Sequence, residues 1–237
     1  MAPDAATVRE VHRRLRRRHG PLGAPRRLDP LEELIVTILS QNTSDVNRDR
    51  AYAAMRRRYP TWEALAEAPV TDLTEAIRPG GLANTKAPRL LAVLRDIRDR
   101  EGGFDLSWMH TATDERVTEY LLSLPGVGPK TAACVLAFSL RRPALPVDTH
   151  VHRVATRLGF LPPGMPAPRA HDVLAEIVPP PLRVEMHVAL IRHGRTLCRA
   201  GRPLCERCPL QDLCPTAPRY LAGTAEEKRP PGSSSPR

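Results

Sequence analysis

Two residues with chemistry in them, Lys130 and Asp148, stand eighteen positions apart in this chain. Lys130 follows the run Leu124-Pro125-Gly126-Val127-Gly128-Pro129. Of the 36 basic residues only Lys86, Lys130 and Lys228 are lysine. Arginine supplies positive charge everywhere else, so a lysine beside two glycines points to a task arginine cannot do. An amine drawn out of water near other cations can shed its proton and act as a nucleophile through a Schiff base. Asp148 lies in Val147-Asp148-Thr149-His150-Val151-His152-Arg153-Val154. In one pocket with such an amine, a carboxylate could orient it, help deprotonate it or stabilise a developing positive charge. A plain N-cap for the helix that starts there is the other reading of Asp148.

The elements that must position Lys130 can be read from the same stretch. One helical pattern covers Thr113 to Leu122, a glycine turn follows, and a second pattern covers Lys130 to Leu140. Gly126 and Gly128 permit backbone conformations closed to other residues and let a partner approach closely. Pro129 suits a first helical turn, where a missing N–H costs nothing. Free N–H groups at that helix start, at the positive end of its dipole, form a seat for an anion such as a phosphate. An ordinary corner between two helices would use the same residues.

Cys198, Cys205, Cys208 and Cys214 fall within 17 residues as C-x6-C-x2-C-x5-C. With no export signal, disulfides are disfavoured and a metal is the default. Zinc favours two closely spaced pairs, whereas this set has one C-x2-C and two longer arms. Four thiolates equally suit a 4Fe-4S cluster, and spacing alone leaves both open. Cys134, within an apolar helix face, reads as a small buried hydrophobe.

The rest of the chain reads as helices. Asp29 caps a helix over Pro30 to Leu39, whose face Leu31, Leu34, Ile35, Ile38 and Leu39 is core. It ends in Ser40-Gln41-Asn42-Thr43-Ser44-Asp45, followed by a helix from Val46 to Tyr59. Shorter helices span Thr61 to Ala68 and Thr71 to Ile77, each opened by a threonine, and Leu82 follows the breaker Pro79-Gly80-Gly81. A helix then runs to about Arg100, and later patterns cover Thr149 to Leu158, Arg169 to Ile177 and Pro181 to His193. No alternating strand pattern is present, so the fold class is all-α. The arginine-rich first 28 residues carry Val8, Val11 and Leu15 at helical spacing, a basic amphipathic helix that lies along a phosphate backbone or presents a solvated face. A net charge of +10 favours a polyanionic partner, of which nucleic acid is the commonest. No apolar run reaches the roughly 20 residues of a membrane span, and the N-terminus lacks the apolar core of a secretory signal, so a cytosolic protein is expected.

LPGVGPKTA and VDTHVHRV, in this order and spacing and followed by the cysteine set, resemble the helix-hairpin-helix DNA glycosylase superfamily and, within it, endonuclease III-like enzymes. The resemblance implies two helical domains with a DNA-binding groove between them. One covers 28–142 and holds the hairpin. The other covers 143–220, holds the cluster loop over 198–214 and packs with a basic arm, 1–27. A disordered tail, 221–237, follows. It implies that Lys130 attacks the sugar C1′ with Asp148 assisting, and that the strand is nicked by β-elimination. Gln41 would fill the space of a flipped nucleotide, and Leu82 would wedge into the duplex. Gly126, Gly128, His150, Arg153 and Arg199 would meet DNA, and the four cysteines would hold a 4Fe-4S cluster. The partner is double-stranded DNA with a damaged base or an abasic site, and the damage oxidised pyrimidines of the thymine glycol type. A cytoplasmic, nucleoid-associated monomer with no membrane contact is implied. Two rivals stand beside this. Adenine or mismatch glycosylases of the superfamily lack the hairpin lysine, and the adenine enzyme adds a large C-terminal domain. A non-catalytic, metal-containing DNA-binding module would need no Lys130–Asp148 pair.

Overall fold

The computed structural model describes residues 3–23 and 26–222. Among these there are helices and turns and no strand. In chain order the α-helices are α1 Ala5–His19, α2 Pro30–Leu39, α3 Asp45–Arg58, α4 Trp62–Ala66, α5 Val70–Ile77 and α6 Ala83–Glu101. They continue as α7 Asp114–Ser123, α8 Pro129–Cys134, α9 Thr149–Arg157, α10 Ala167–Ile177, α11 Arg183–Thr196 and α12 Ala217–Leu221. Of the tail expected over 221–237, Leu221 ends α12, Ala222 is a turn, and 223–237 lie outside the described residues.

The chain divides into two compact units. One is Pro25–Pro146; the other joins Met1–Ala24 to Val147–Arg237. The first is built around α2. Leu31, Leu34, Ile35, Ile38 and Leu39 are each no more than 1% exposed, because four of every five positions along this helix face protein rather than water. Asp29 caps it, its Oδ1 accepting the Glu32 N–H at 2.9 Å, and Pro30 opens it. Helices α3, α6 and α8 pack on α2, and α5 and α6 pack on each other. In the second unit α9 and α1 both pack on α11. Val8, Val11 and Leu15 of the basic arm are buried there, so the helical spacing read from the sequence marks a packing face. Arg14 on the same helix donates to Pro209 O at 3.0 Å and pairs with Asp212, fastening α1 to the end of the cysteine loop.

Two expectations are corrected. The second hairpin helix is not a continuous α-helix to Leu140: after Cys134 the backbone widens into a π-helix over Val135–Ser139. There Ser139 makes two long-range bonds, donating its hydroxyl to Leu28 O at 2.9 Å and accepting from Arg27 Nε at 2.9 Å. A wider turn is the means by which a helix swings one residue out of register to reach such partners. Thr71 does not open α5, which begins at Val70 behind Pro69 with no side-chain cap. Thr61 does cap α4, accepting the Ala64 N–H at 3.1 Å. Thr61 stands just before its helix, whereas Thr71 is the second residue of its own, because Pro69 with its fixed φ takes the position before α5.

The two threonines therefore separate in a stability measurement. Thr61→Ala lowers the unfolding free energy by about 1 kcal/mol, whereas Thr71→Ala stays within about 0.5 kcal/mol of wild type in urea titrations. Equal losses would contradict the capping assignment.

Candidate functional site

The hairpin is made by α7, the turn Leu124–Gly128 and α8. Gly126 takes a φ of +70°, which favours glycine, and a Cβ built there would lie 2.6 Å from Arg89 Nε and displace that side chain. Gly128 differs: it is the extended N-cap of α8, and a Cβ would meet nothing within 4 Å. What glycine leaves at 128 is open approach, not a special torsion. Neither glycine N–H makes a hydrogen bond among the described residues. Lys130 follows in the first turn of α8, partly exposed.

Beneath the hairpin lies a carboxylate that composition and periodicity did not single out. Glu33 of α2 is 6% exposed and accepts from Thr37 Oγ1 at 3.1 Å. Burial raises its pKa, while the Thr37 bond and the positive charges of Lys130, Arg48 and Arg141 pull it back. Its sequence signal was only its place one turn before Thr37 on a helix whose other faces are apolar.

Two turns stand in the same unit. After α2, Gln41 is half-buried and its Oε1 accepts from Arg89 Nη1 at 2.9 Å, while Asn42 is exposed at a φ of +52°. After the 3-10 turn Arg78–Gly80, Leu82 has a φ of +50° and is 53% exposed. Non-glycine residues rarely adopt this conformation, and such strain gathers at functional positions. Arg89 reaches both the Gln41 side chain and the hairpin glycine.

In the other unit, Asp148 is the N-cap of α9. Its Oδ1 accepts the Val151 N–H at 2.7 Å, and its second oxygen makes no hydrogen bond among the described residues. The cap role and a chemical role are thus compatible in one side chain. His150 is partly buried, which lowers its pKa against the opposing charge of Asp148. Arg153 turns inward: Nε and Nη2 donate to Cys198 O at 3.2 and 3.1 Å, and Nη2 donates to Gly194 O at 3.0 Å. Arg199 is exposed beside Cys198, with its Nε bonded to Thr196 O.

The four cysteines line one small pocket together with Leu197, Leu204 and Val154. Arg157, which nothing local sets apart from so many other arginines, organises it. Its guanidinium donates to Arg199 O at 2.6 Å, Ala200 O at 2.9 Å and Cys198 Sγ at 3.3 Å. It also packs over the Tyr220 ring. The Arg157 carbonyl accepts from Thr216 Oγ1 at 2.7 Å. His193 Nε2 lies 3.5 Å from Cys208 Sγ, and burial lowers its pKa to about 4. Burial pushes Cys208 up to about 11 and raises Cys205 and Cys214, so these thiols become thiolates only against strong positive charge. No three donors among the described residues converge as a single metal ion requires. Four separated thiols around one pocket suit a polynuclear iron–sulfur cluster, one ligand to each iron, better than one tetrahedral zinc.

Residues 35–180 match the HhH-GPD superfamily of base excision DNA repair proteins. Residues 198–214 match the iron–sulfur binding domain of endonuclease III. Endonuclease III of Thermotoga maritima is 35% identical over 207 residues, covering 87% of this chain and 90% of the relative. Endonuclease III of Escherichia coli K12 is 34% identical over 185 residues, covering 78% and 83%. A trapped endonuclease III–DNA covalent intermediate superposes with a TM-score of 0.80 at 27% identity, over 92% of this chain and 99% of that one. The chain belongs to the HhH-GPD superfamily of base excision DNA repair proteins, within its endonuclease III branch. It is accordingly a DNA glycosylase with AP lyase activity, acts on duplex DNA and carries a 4Fe-4S cluster. No helix among the described residues is long and apolar enough to cross a membrane.

Three outcomes follow from this geometry. Gly126→Ala costs about 1–3 kcal/mol of stability, and Gly128→Ala stays within about 0.5 kcal/mol, as measured by urea unfolding. For Glu33 the folded pKa lies above the unfolded one, so the unfolded chain binds fewer protons and stability falls as pH rises through that interval. Glu33→Gln removes this loss, and its stability advantage over wild type grows as pH rises above the ordinary carboxylate range; an advantage that shrinks would refute the assignment. Arg157→Lys keeps the charge but not the fork, and purifies with less iron per chain and weaker visible absorbance.

Proposed function

We propose that this glycosylase/lyase removes oxidised pyrimidines of the thymine glycol type, with Lys130 as nucleophile and Asp148 as its partner in charge. The observation that carries the reading is a lysine in the first turn of the hairpin's second helix, in a chain with only three lysines among its 36 basic residues. Phosphate is held by the open N–H groups of Gly126 and Gly128. The damaged nucleotide leaves the stack, which costs least where pairing is already weak. Gln41 and Leu82 occupy the space it vacates, with the exposed Asn42 beside them.

The Lys130 amine forms a C–N bond to C1′ as the bond to the base breaks, and the base departs with a proton. The C1′–O4′ bond then breaks, O4′ takes up a proton from solvent, and a protonated Schiff base remains. Loss of a C2′ proton then expels the 3′ phosphate, and water releases the lysine. Asp148, held by the Val151 N–H, offers its other oxygen to the cationic sugar. Cys198, Cys205, Cys208 and Cys214 hold the cluster, which supports a DNA-docking loop bearing Arg199. Arg153 orients that loop from behind. The protein works as a monomer on the nucleoid, in the cytoplasm.

Borohydride trapping on a duplex with one thymine glycol, beside one with an abasic site, tests this. Wild type gives a covalent band on both. Lys130→Ala loses both bands and at least about a thousandfold of base release, while duplex affinity changes less than about threefold. A band on the abasic duplex alone would keep the lyase and reject the lesion class. Retained trapping in Lys130→Ala would reject the nucleophile.

A further inference from the structure

The other described lysine has a task as particular as that of Lys130. Lys86 is 2% exposed, yet its ammonium faces no carboxylate among its hydrogen-bond partners. Nζ donates to Leu39 O at 2.7 Å and to Gly80 O at 2.8 Å. Leu39 is the last residue of α2, and Gly80 is the last residue of the 3-10 turn Arg78–Gly80. Each is a C-terminal carbonyl that its own element leaves without a partner, and a cation there meets the negative end of the local dipole.

The turns that leave these two carbonyls are the ones bearing Gln41 with Asn42, and Leu82. Of three non-glycine residues with positive φ among the described residues, two are Asn42 and Leu82. Held conformations of this kind persist only where surroundings over-determine them. Lys86 supplies that restraint to both turns at once. Its side chain grips the base of each, and its own N–H donates to Leu82 O at 2.9 Å. Burial lowers its pKa, but amine and ammonium alike can donate to two carbonyls. The need for a lysine is geometric: one compact nitrogen must meet two oxygens on different elements, where the planar fork of arginine would spread its donors.

We propose that Lys86 is a positioning residue that sets the spacing between the Gln41–Asn42 turn and the Leu82 turn, so that both stand ready before DNA arrives. The proposal rests on the reading of Gln41 and Leu82 as residues that enter the duplex. An arrangement fixed beforehand removes the ordering cost that two free loops would add to nucleotide extrusion. Its effect should therefore appear only where a nucleotide must be extruded from a paired stack.

The test compares excision of thymine glycol from a fully paired duplex with excision of the same lesion from an unpaired bubble. Lys86→Met is expected to lose about tenfold or more on the paired duplex and less than about threefold on the bubble. A variant that is merely misfolded loses both equally, so equal losses, or no loss on the paired duplex, overturn the proposal. Should Lys86→Met prove too unstable to purify, Lys86→Gln, whose amide can serve only one carbonyl well, is read by the same ratio. Gln41→Ala combined with Leu82→Ala tests the underlying reading on its own. If that pair excises from paired duplex like wild type, the reading fails whatever Lys86 does. If the pair is impaired, adding Lys86→Met costs less than about threefold more; a further tenfold loss would show that Lys86 acts elsewhere.

Discussion

The guanidinium of Arg157 and the ammonium of Lys86, both buried, satisfy backbone carbonyls, and the loops of each unit depend on that bond. Arg157 fixes Arg199 and Ala200 of the cysteine loop by their oxygens. Lys86 fixes the ends of two short elements by theirs. A buried carbonyl without a partner costs about 1–3 kcal/mol, and a buried charge without one costs more. Each therefore holds the other in place. The loops so fixed carry Gln41, Leu82 and Arg199, the side chains proposed to meet DNA.

The same logic explains the arginine content better than DNA affinity alone. Arg142 donates to Met109 O at 2.6 Å and Ala112 O at 2.7 Å, Arg27 to Ser139 O, and Arg192 to Pro21 O at 2.7 Å. Aromatic residues are only 4% of the chain, so few large side chains are available to cover loop backbone. Long arginine stems cover it instead, and their forks close the carbonyls. The net charge of +10 is thus partly a structural quantity. Residues such as Arg153, committed to Cys198 and Gly194, contribute field to the DNA surface without reaching out from it.

Left-handed backbone at non-glycine residues falls in the turns where the chemistry is proposed and at the end of the hairpin's second arm. Asn42, Leu82 and Arg141 are the described non-glycine residues in the left-handed region, and Gly126 joins them with a φ of +70°. Arg141 follows the π-helix at the end of the hairpin's second arm. A Glu33 carboxyl buried below the hairpin adds electrostatic strain to the conformational kind.

The sequence by itself determined the helix boundaries that capping and proline signal, the apolar faces, the hairpin, the cysteine set and the family. Local rules suffice there, because a cap, a glycine turn or a C-x2-C pair is made by neighbours in the chain. Lys130 stood out by rarity, and Lys86 met the same criterion, but nothing local said that its partners were Leu39, 47 residues away, and Gly80. Gly126 and Gly128 looked alike until their torsions separated them. Thr61 and Thr71 looked alike until Pro69 decided where α5 begins. The π-helix, the inward turn of Arg153 and the role of Arg157 came only from tertiary structure. Each is the answer to a carbonyl or hydroxyl far away in sequence, and the demand for a partner in a buried place is set by what the fold covers, which no window of sequence contains.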